Sequence, residues 1–401
     1  MEHFAVVQSI IRSGLSGDMA GFDKQVARLR SRLNKAGQTK EAETIDRLLK
    51  SAKDERALTP SSVEVSRALI TGEVLTPETN PPMDRETGAR LCEIRFPGLD
   101  MLAPIYGTIA GEAVDGMLAE WAHADELKSV GVDPTRSLLI FGPPGSGKTL
   151  TAHHIAMRLG LPLLVARIDG LISSFLGTTA RNIANLFDFA NRYRCVLLLD
   201  EFDALAKLRD DPQEIGEIKR VVNTLLQNLD ARRDFGVTIA ITNHDRLLDP
   251  AVWRRFETHL HMDEPGARPR AQMIERFMAP IDLSDNLRQV LSYCLGGSSG
   301  ADLQRMCAAL KRTAALSGDA LDDRNLFAAF ATVIGRLPSH EGGPSAALSQ
   351  SIEAFVGHAT HDSNFPLKQI ELAALLGLSE TAISRMKNSY KDPLLKVVSH
   401  A

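Results

Sequence analysis

Residues 138–149 read Leu138-Leu139-Ile140-Phe141-Gly142-Pro143-Pro144-Gly145-Ser146-Gly147-Lys148-Thr149. A short apolar run enters a glycine-rich loop, and the loop enters the helical pattern Leu150–Leu159. Strand, glycine loop and helix in that order make a phosphate cradle, the P-loop. The glycines let backbone N–H groups curl around an anion, and the helix N-terminus adds the positive end of its dipole. In that geometry Lys148 is expected to reach the β- and γ-phosphates of a nucleotide, and the Thr149 hydroxyl to hold Mg²⁺.

Downstream, Val196-Leu197-Leu198-Leu199-Asp200-Glu201 is a second apolar run, and it ends in two carboxylates. At the carboxyl end of a parallel strand both acids face the crevice where ligands bind. Asp200 is then expected to hold Mg²⁺ through water, and Glu201 to polarise the attacking water. Other apolar runs at Leu163–Ile168, Val237–Ile241 and Thr258–Met262 alternate with amphipathic helical stretches. Strands alternating with helices predict a parallel sheet covered on both faces, an α/β domain over 91–262. From 263 to 335 the pattern is helical throughout, which predicts a small all-α domain.

The flanks differ in kind. Residues 1–56 carry apolar stripes at helical spacing, among them Met19, Phe22, Val26, Leu29 and Leu33, so a helical N-terminal module is expected. Stripes report burial and not the partner, which leaves a capping or dimerising hairpin and a docking module both open. Thr59-Pro60, Thr76-Pro77 and Asn80-Pro81-Pro82 punctuate 57–90, read here as a linker. Within 336–401, the stretch from Gly335 to about Phe365, with Pro338, Gly342-Gly343-Pro344 and His361–Phe365, reads as partly irregular, and a last helical unit follows.

At 401 residues, 44% hydrophobic and 24% charged, the chain has the composition of a soluble globular protein of two or three domains. No apolar stretch near the motifs is long enough to span a bilayer, and no secretory signal opens the sequence. Four scattered cysteines with no CxxC pair argue against a disulfide framework or a zinc site and point to a reducing cytoplasm. A net charge of −4 gives no global basic field, so any nucleic-acid contact must be local. No HExxH motif and no evident Ser/His/Asp set equips the chain to cut peptide bonds itself.

With these motifs in register, the chain resembles the AAA clade of AAA+ ATPases across roughly 95–335. The resemblance implies an ATP-hydrolysing P-loop domain with a helical small domain. Its nucleotide-binding set would be Gly142, Pro143, Pro144, Gly145, Ser146, Gly147, Lys148, Thr149, Leu150, Asp200, Gly300 and Ala301. Asn243, ending Val237-Thr238-Ile239-Ala240-Ile241-Thr242-Asn243, would be the sensor-1 residue beside Glu201. Arg254 and Arg255 fall where this clade carries paired arginines that act on the γ-phosphate of the neighbouring subunit. Trans-acting guanidinium groups neutralise transition-state charge and imply a closed homo-oligomeric ring, a hexamer in this clade.

Ile172-Ser173-Ser174-Phe175-Leu176-Gly177 is similar to the clade's substrate-gripping pore loop, with Phe175 and Leu176 as the gripping pair. It departs from the pattern where Thr178-Thr179 follow the glycine. Arg209–Arg220 resembles the second pore loop. Gly296–Leu303 is similar to the small-domain turn that lies against the nucleotide, with Ala301 where other branches carry a sensor-2 arginine and Asp302 as a helix-start acid. The segment Ile105–Ile109, on the adenine side, departs most.

Residues 368–388 look like a helix-turn-helix. Ala373 allows close approach, Gly377 takes the turn, and Leu372, Leu376, Leu378, Ile383 and Met386 fill the shared core. Thr381, Ser384, Arg385, Lys387 and Asn388 are placed to face a groove. DNA and a protein partner both remain open for this unit. Two functions follow. One is a ring that threads and remodels a protein substrate, with a separate, subtilisin-like protease as a possible partner by overall resemblance. The other is an ATP-regulated DNA-binding regulator.

Overall fold

The computed structural model describes residues 25–26, 28–29, 31–33, 72–98, 103–171, 176–203, 215–232, 236–248, 250–318, 320–335 and 343–390. The chain divides into two units, Met1–Ser62 and Val63–Ala401. In the first, the described positions between 25 and 33 are helical. The other stripes of 1–56 lie outside the described residues, as do Phe175, residues 204–214 and Asp249.

The second unit is built on a six-stranded sheet in the order β1-β3-β4-β5-β2-β6. Its strands are β1 Cys92–Arg95, β2 Ser137–Phe141, β3 Leu163–Ala166, β4 Val196–Leu199, β5 Val237–Thr242 and β6 Thr258–His261. All neighbours run parallel except β1, which pairs antiparallel with β3 through Cys92↔Ala166 and Arg95↔Leu163. The expected runs became strands with small adjustments at their ends. Ile168 leaves its strand for a one-turn helix, Ile168–Leu171. The sequence did not announce β1, whose CEIR offers too short an apolar signal for a period-2 pattern.

Alternation along each strand serves two cores. Leu138, Ile140, Val196, Leu198, Ile239 and Ile241 pack on one face with α1 (Thr108–Ala122) and α3 (Lys148–Leu159). Leu139, Leu197, Leu199 and Ala240 pack on the other with α4 (Leu176–Arg192) and α5 (Ile215–Arg232). A short helix, α2 (Ala124–Ser129), follows α1. Near-continuous burial on both faces is why these strands read as apolar runs and not as alternations.

The stretch 72–90, read as linker, packs against the sheet domain. Leu75 is buried in its core, and Glu73 bridges to Tyr193 just after α4, with Glu73 N–H donating to Arg192 C=O at 2.9 Å. Prolines exclude regular hydrogen-bonded structure without excluding packing.

Beyond β6 the chain is helical: α6 Ala267–Met278, α7 Asp285–Cys294, α8 Gly300–Ser317 and α9 Asp323–Ile334. Then come α10 Pro344–Gln350, α11 Ile352–His361, α12 Gln369–Leu376 and α13 Glu380–Ser389. These do not form two separate cores. Ile274, Leu287, Leu303 and Phe330 of the first four helices join Phe355, Leu372, Leu376 and Ile383 of the last four in one buried cluster. Among the described residues no helix is long and apolar enough to cross a membrane. All four cysteines are buried and free.

The candidate nucleotide site

The phosphate loop joins β2 to α3, and its glycines take conformations that side chains rarely adopt. Gly142 has φ 141°, Gly145 78° and Gly147 95°. A Cβ on Gly142 would collide with the Met262 carbonyl oxygen at the end of β6, so the loop's first residue is pinned between two strands. Gly147 is the N-cap of α3 and opens the helix with Lys148. The Lys148 ammonium is buried and donates to the carbonyls of Gly142 at 2.9 Å and Pro143 at 2.7 Å. Burial pushes its pKa below the usual lysine value, and Asp200 and Asp203 pull it partly back.

One residue on, the Thr149 hydroxyl donates to Asp200 Oδ2 at 2.9 Å. The other carboxylate oxygen, Oδ1, accepts the Glu201 backbone N–H at 2.9 Å. Glu201 follows with φ 52°, the one positive φ at a non-glycine among the described residues. Such a conformation costs of order 1–3 kcal/mol and tends to gather at functional sites. Phe202 N–H then donates to Ile241 C=O at 2.8 Å, which holds the turn after β4 against the end of β5. Asn243, exposed, begins the loop that leaves β5 there.

Two features of this site were not read from the sequence. Asp203, buried, accepts the Thr242 hydroxyl at 3.2 Å, and Thr242 Oγ1 in turn accepts the His244 N–H at 2.9 Å. This chain fixes the backbone on both sides of Asn243. Arg95 on β1 reaches His153 on α3 (Nη1···Nε2 3.2 Å) while pairing with Glu93 at 3.0 Å. Burial and the Arg95 charge push the His153 pKa down, with Asp200 opposing. The lid turn Gly296–Leu303, expected beside the nucleotide, touches the phosphate loop itself. Ala301 N–H donates to the Gly145 carbonyl at 3.2 Å, and Gly300 lies against the same oxygen. Ser299 and Asp302 form a capping box there, and the Ser299 hydroxyl holds the Asp302 carboxyl below its ordinary pKa. Asp302 is thus a helix-start acid.

The arginine pair sits at the end of the one-turn helix Pro250–Trp253. Arg254 is exposed, and Arg255 Nε lies 3.0 Å from Asp230 Oδ1 on α5. An aromatic stack secures this turn. Trp253 lies face to face with His259 of β6 (4.5 Å, 6°), and edge-on to Phe141 (5.1 Å), which stacks on His261 (4.8 Å). The arginines are thereby fixed to the strand that leads into the phosphate loop.

Of the pair expected to form the pore loop, Phe175 lies outside the described residues and Leu176 opens α4. The departing threonines have structural work: Thr178 and Thr179 are buried, and the Thr178 hydroxyl donates to Glu86 Oε1 at 3.0 Å. Tyr106, in the divergent adenine-side segment, packs edge-on to His154, and burial pushes its hydroxyl pKa up to about 12.

The profile of the ATPase family associated with various cellular activities (AAA) matches residues 138–264. An uncharacterized AAA family ATPase, y4kL of Sinorhizobium fredii, is 46% identical over 198 residues, 48% of this chain and 58% of that protein. The cell division cycle protein 48 homolog of Archaeoglobus fulgidus is 30% identical over 196 residues, 47% of this chain and 27% of that one. A proteasome-activating nucleotidase of Saccharolobus islandicus is 32% identical over 189 residues, 45% and 48% of the two chains. The chain thus spans about half the length, or less, of most of the curated relatives it matches. Its fold is similar to the crystal structure of the FIGL-1 AAA domain in complex with ADP (TM-score 0.50, 20% identity, covering 62% of this chain and 88% of that one). Residues 138–264, which carry the phosphate loop and most of the parallel sheet, thus match the AAA family of ATPases, and the sheet with its helical lid has the fold of an AAA domain.

Proposed function

We propose that this chain hydrolyses ATP and, as a homo-oligomeric ring with six members, uses the energy to remodel or unfold a protein substrate. The observation that carries the ATPase reading is the Thr149–Asp200 contact beside the strained Glu201. A hydroxyl and a carboxylate 2.9 Å apart at the mouth of a phosphate loop are a hard-oxygen donor pair, which suits Mg²⁺. When bound, the ion neutralises charge on the β- and γ-phosphate oxygens.

The chain's own groups do the rest. Gly145, Ser146 and Gly147 offer backbone N–H donors, and Lys148 supplies a cation held in a low-dielectric wall, where its field is strong. Glu201 polarises the attacking water, and Asn243 orients it. Arg254 and Arg255 act on the nucleotide of the neighbouring subunit, Arg255 after leaving Asp230. Phosphate release measured against protein concentration tests the ring. Activity should rise cooperatively, and mixing Arg255→Ala with Lys148→Ala chains should restore part of it. Concentration-independent turnover with no restoration in the mixture would mean a monomeric switch.

The name of the proteasome-activating nucleotidase supports a protein as substrate. Phe175 and Leu176 grip the threaded chain in this reading, and a separate protease is one recipient of the product. Phe175→Ala should leave basal phosphate release in place and abolish unfolding of a tagged fluorescent protein. Unfolding at the wild-type rate would remove the pore-loop assignment.

A further inference from the structure

The unfolding reading leaves the last two helices without a task, and their outward face has a definite chemistry. On α13 the residues Thr381, Ser384, Arg385 and Asn388 are all exposed, spaced so that they share one face of the helix. The opposite face is committed to the core, with Ile383 buried and Met386 packed beside it. Among the described residues, the side chains of Ser384, Arg385 and Asn388 take part in no hydrogen bond or ion pair. Thr381 donates only to the N-cap hydroxyl of Ser379, at 3.1 Å.

The turn that carries α13 is charged from a distance. Gly377, at φ 65°, takes the left-handed turn between α12 and α13, and the Arg324 guanidinium of α9 lies over it. A Cβ at 377 would stand 2.9 Å from Arg324 Cζ. A cation over the turn, Arg385 on the exposed face and Lys387 beside it outnumber Glu380, the one acid of α13.

We infer that α13 reads base edges in the major groove of duplex DNA, with Arg324 and Lys387 on the flanking phosphates. The side-chain types decide between partners. A protein-docking face centres on aromatic and arginine anchors ringed by apolar surface, and of these the stripe has Arg385 alone, with no aromatic or aliphatic side chain beside it. Arginine pairs with guanine, asparagine with adenine, and serine or threonine with either, which is the set displayed here. Helix 12 packs behind helix 13 through Leu372, Ala373 and Leu376, as the first helix of a helix-turn-helix does. The chain's overall charge of −4 confines the attraction to this corner, so binding should be strongly salt-dependent and modest for random sequence.

The experiment uses the full chain and a randomised duplex library, selected over several rounds, with fluorescence anisotropy on the enriched and the unselected duplexes. A motif should emerge, and Arg385→Ala with Asn388→Ala should cut discrimination between enriched and unselected duplexes roughly 10- to 100-fold. Phosphate release by the same variant should match wild type, which also certifies its fold. Arg324→Ala should weaken all duplexes alike and lower the salt slope by about one. Absence of any enriched motif, or a motif that the double variant still prefers, overturns the inference. A photo-crosslinker at position 388 that captures protein from an extract and no duplex overturns it equally.

Discussion

The Thr149 hydroxyl and the Asp200 carboxylate meet at 2.9 Å across the junction of α3 and β4. This contact joins the phosphate loop to the strand that carries the acids. Losing the hydroxyl breaks the contact, and losing the carboxylate charge weakens the metal donor pair even where an amide oxygen still accepts the hydroxyl. Thr149→Ala and Asp200→Asn are expected to lower Mg²⁺-dependent phosphate release by on the order of 100-fold or more, a loss typical of a lost transition-state electrostatic contact. Nucleotide affinity measured in EDTA should change little. Full activity in either variant would place the metal elsewhere.

Glu201 combines a strained backbone with the side chain proposed to polarise the attacking water, and substitution separates the two. Glu201→Gly relieves the left-handed conformation and should raise stability by about 1 kcal/mol, whereas Glu201→Gln keeps the strain and should not. Both should lose hydrolysis, and the glutamine variant should hold ATP. Thermal melts of the two variants check this. A glycine variant that melts no higher than the glutamine one would mean the conformation carries no strain.

Lys148 gives a pH signature. Burial lowers its pKa in the fold, so the unfolded chain binds more protons between that lowered value and the ordinary one of 10.5. The penalty for keeping the ammonium charged is fully present at neutral pH and is relieved as pH rises through that window. Relative to Lys148→Met, which cannot titrate, wild-type protein should gain stability as pH climbs toward 10.5. Paired melting curves from pH 7 upward, without nucleotide, measure the difference. A constant gap would mean the lysine's pKa is ordinary.

Arg232 predicts a purely structural loss. It is fully buried at the end of α5, and its guanidinium donates to Asn191 Oδ1 at 3.1 Å and to the Cys195 and Val237 carbonyls at 3.1 and 3.5 Å. One side chain thus ties α4, β4, α5 and β5 together. Arg232→Ala leaves those acceptors without donors and opens a void, so about 3 kcal/mol or more should be lost in chemical denaturation. A loss under 1 kcal/mol would show that water replaces the guanidinium.

Much of the module was legible because phosphate binding and metal binding demand fixed residue types at fixed places. The glycines of the loop, Lys148, Thr149, Asp200 and Glu201 could be found from strand and helix patterns on either side. What the sequence concealed are the partners that distance in the chain separates. Nothing in Asp203 or Thr242 marks them as a pair until β4 and β5 lie side by side. Leu75 lies in the stretch 57–90 read as a linker, because turn residues describe the backbone and say nothing of what its side chains cover. The helical stripes of 267–334 and 369–389 gave helices but not their arrangement, and 344–361, inside a stretch read as partly irregular for its prolines and glycines, is helical too. An amphipathic stripe says that a face is buried and is silent on which helix buries it, so one core over eight helices could not be distinguished from two smaller ones.

That single core has a mechanical meaning. The first turn of α8 touches the phosphate loop through Ala301 and Gly145, and α8 shares its interior with α12 and α13. Close-packed interiors move as blocks, not as fluids. A tilt of the lid on Gly145 would therefore carry α12 and α13 along with α8, because all three share one packed interior.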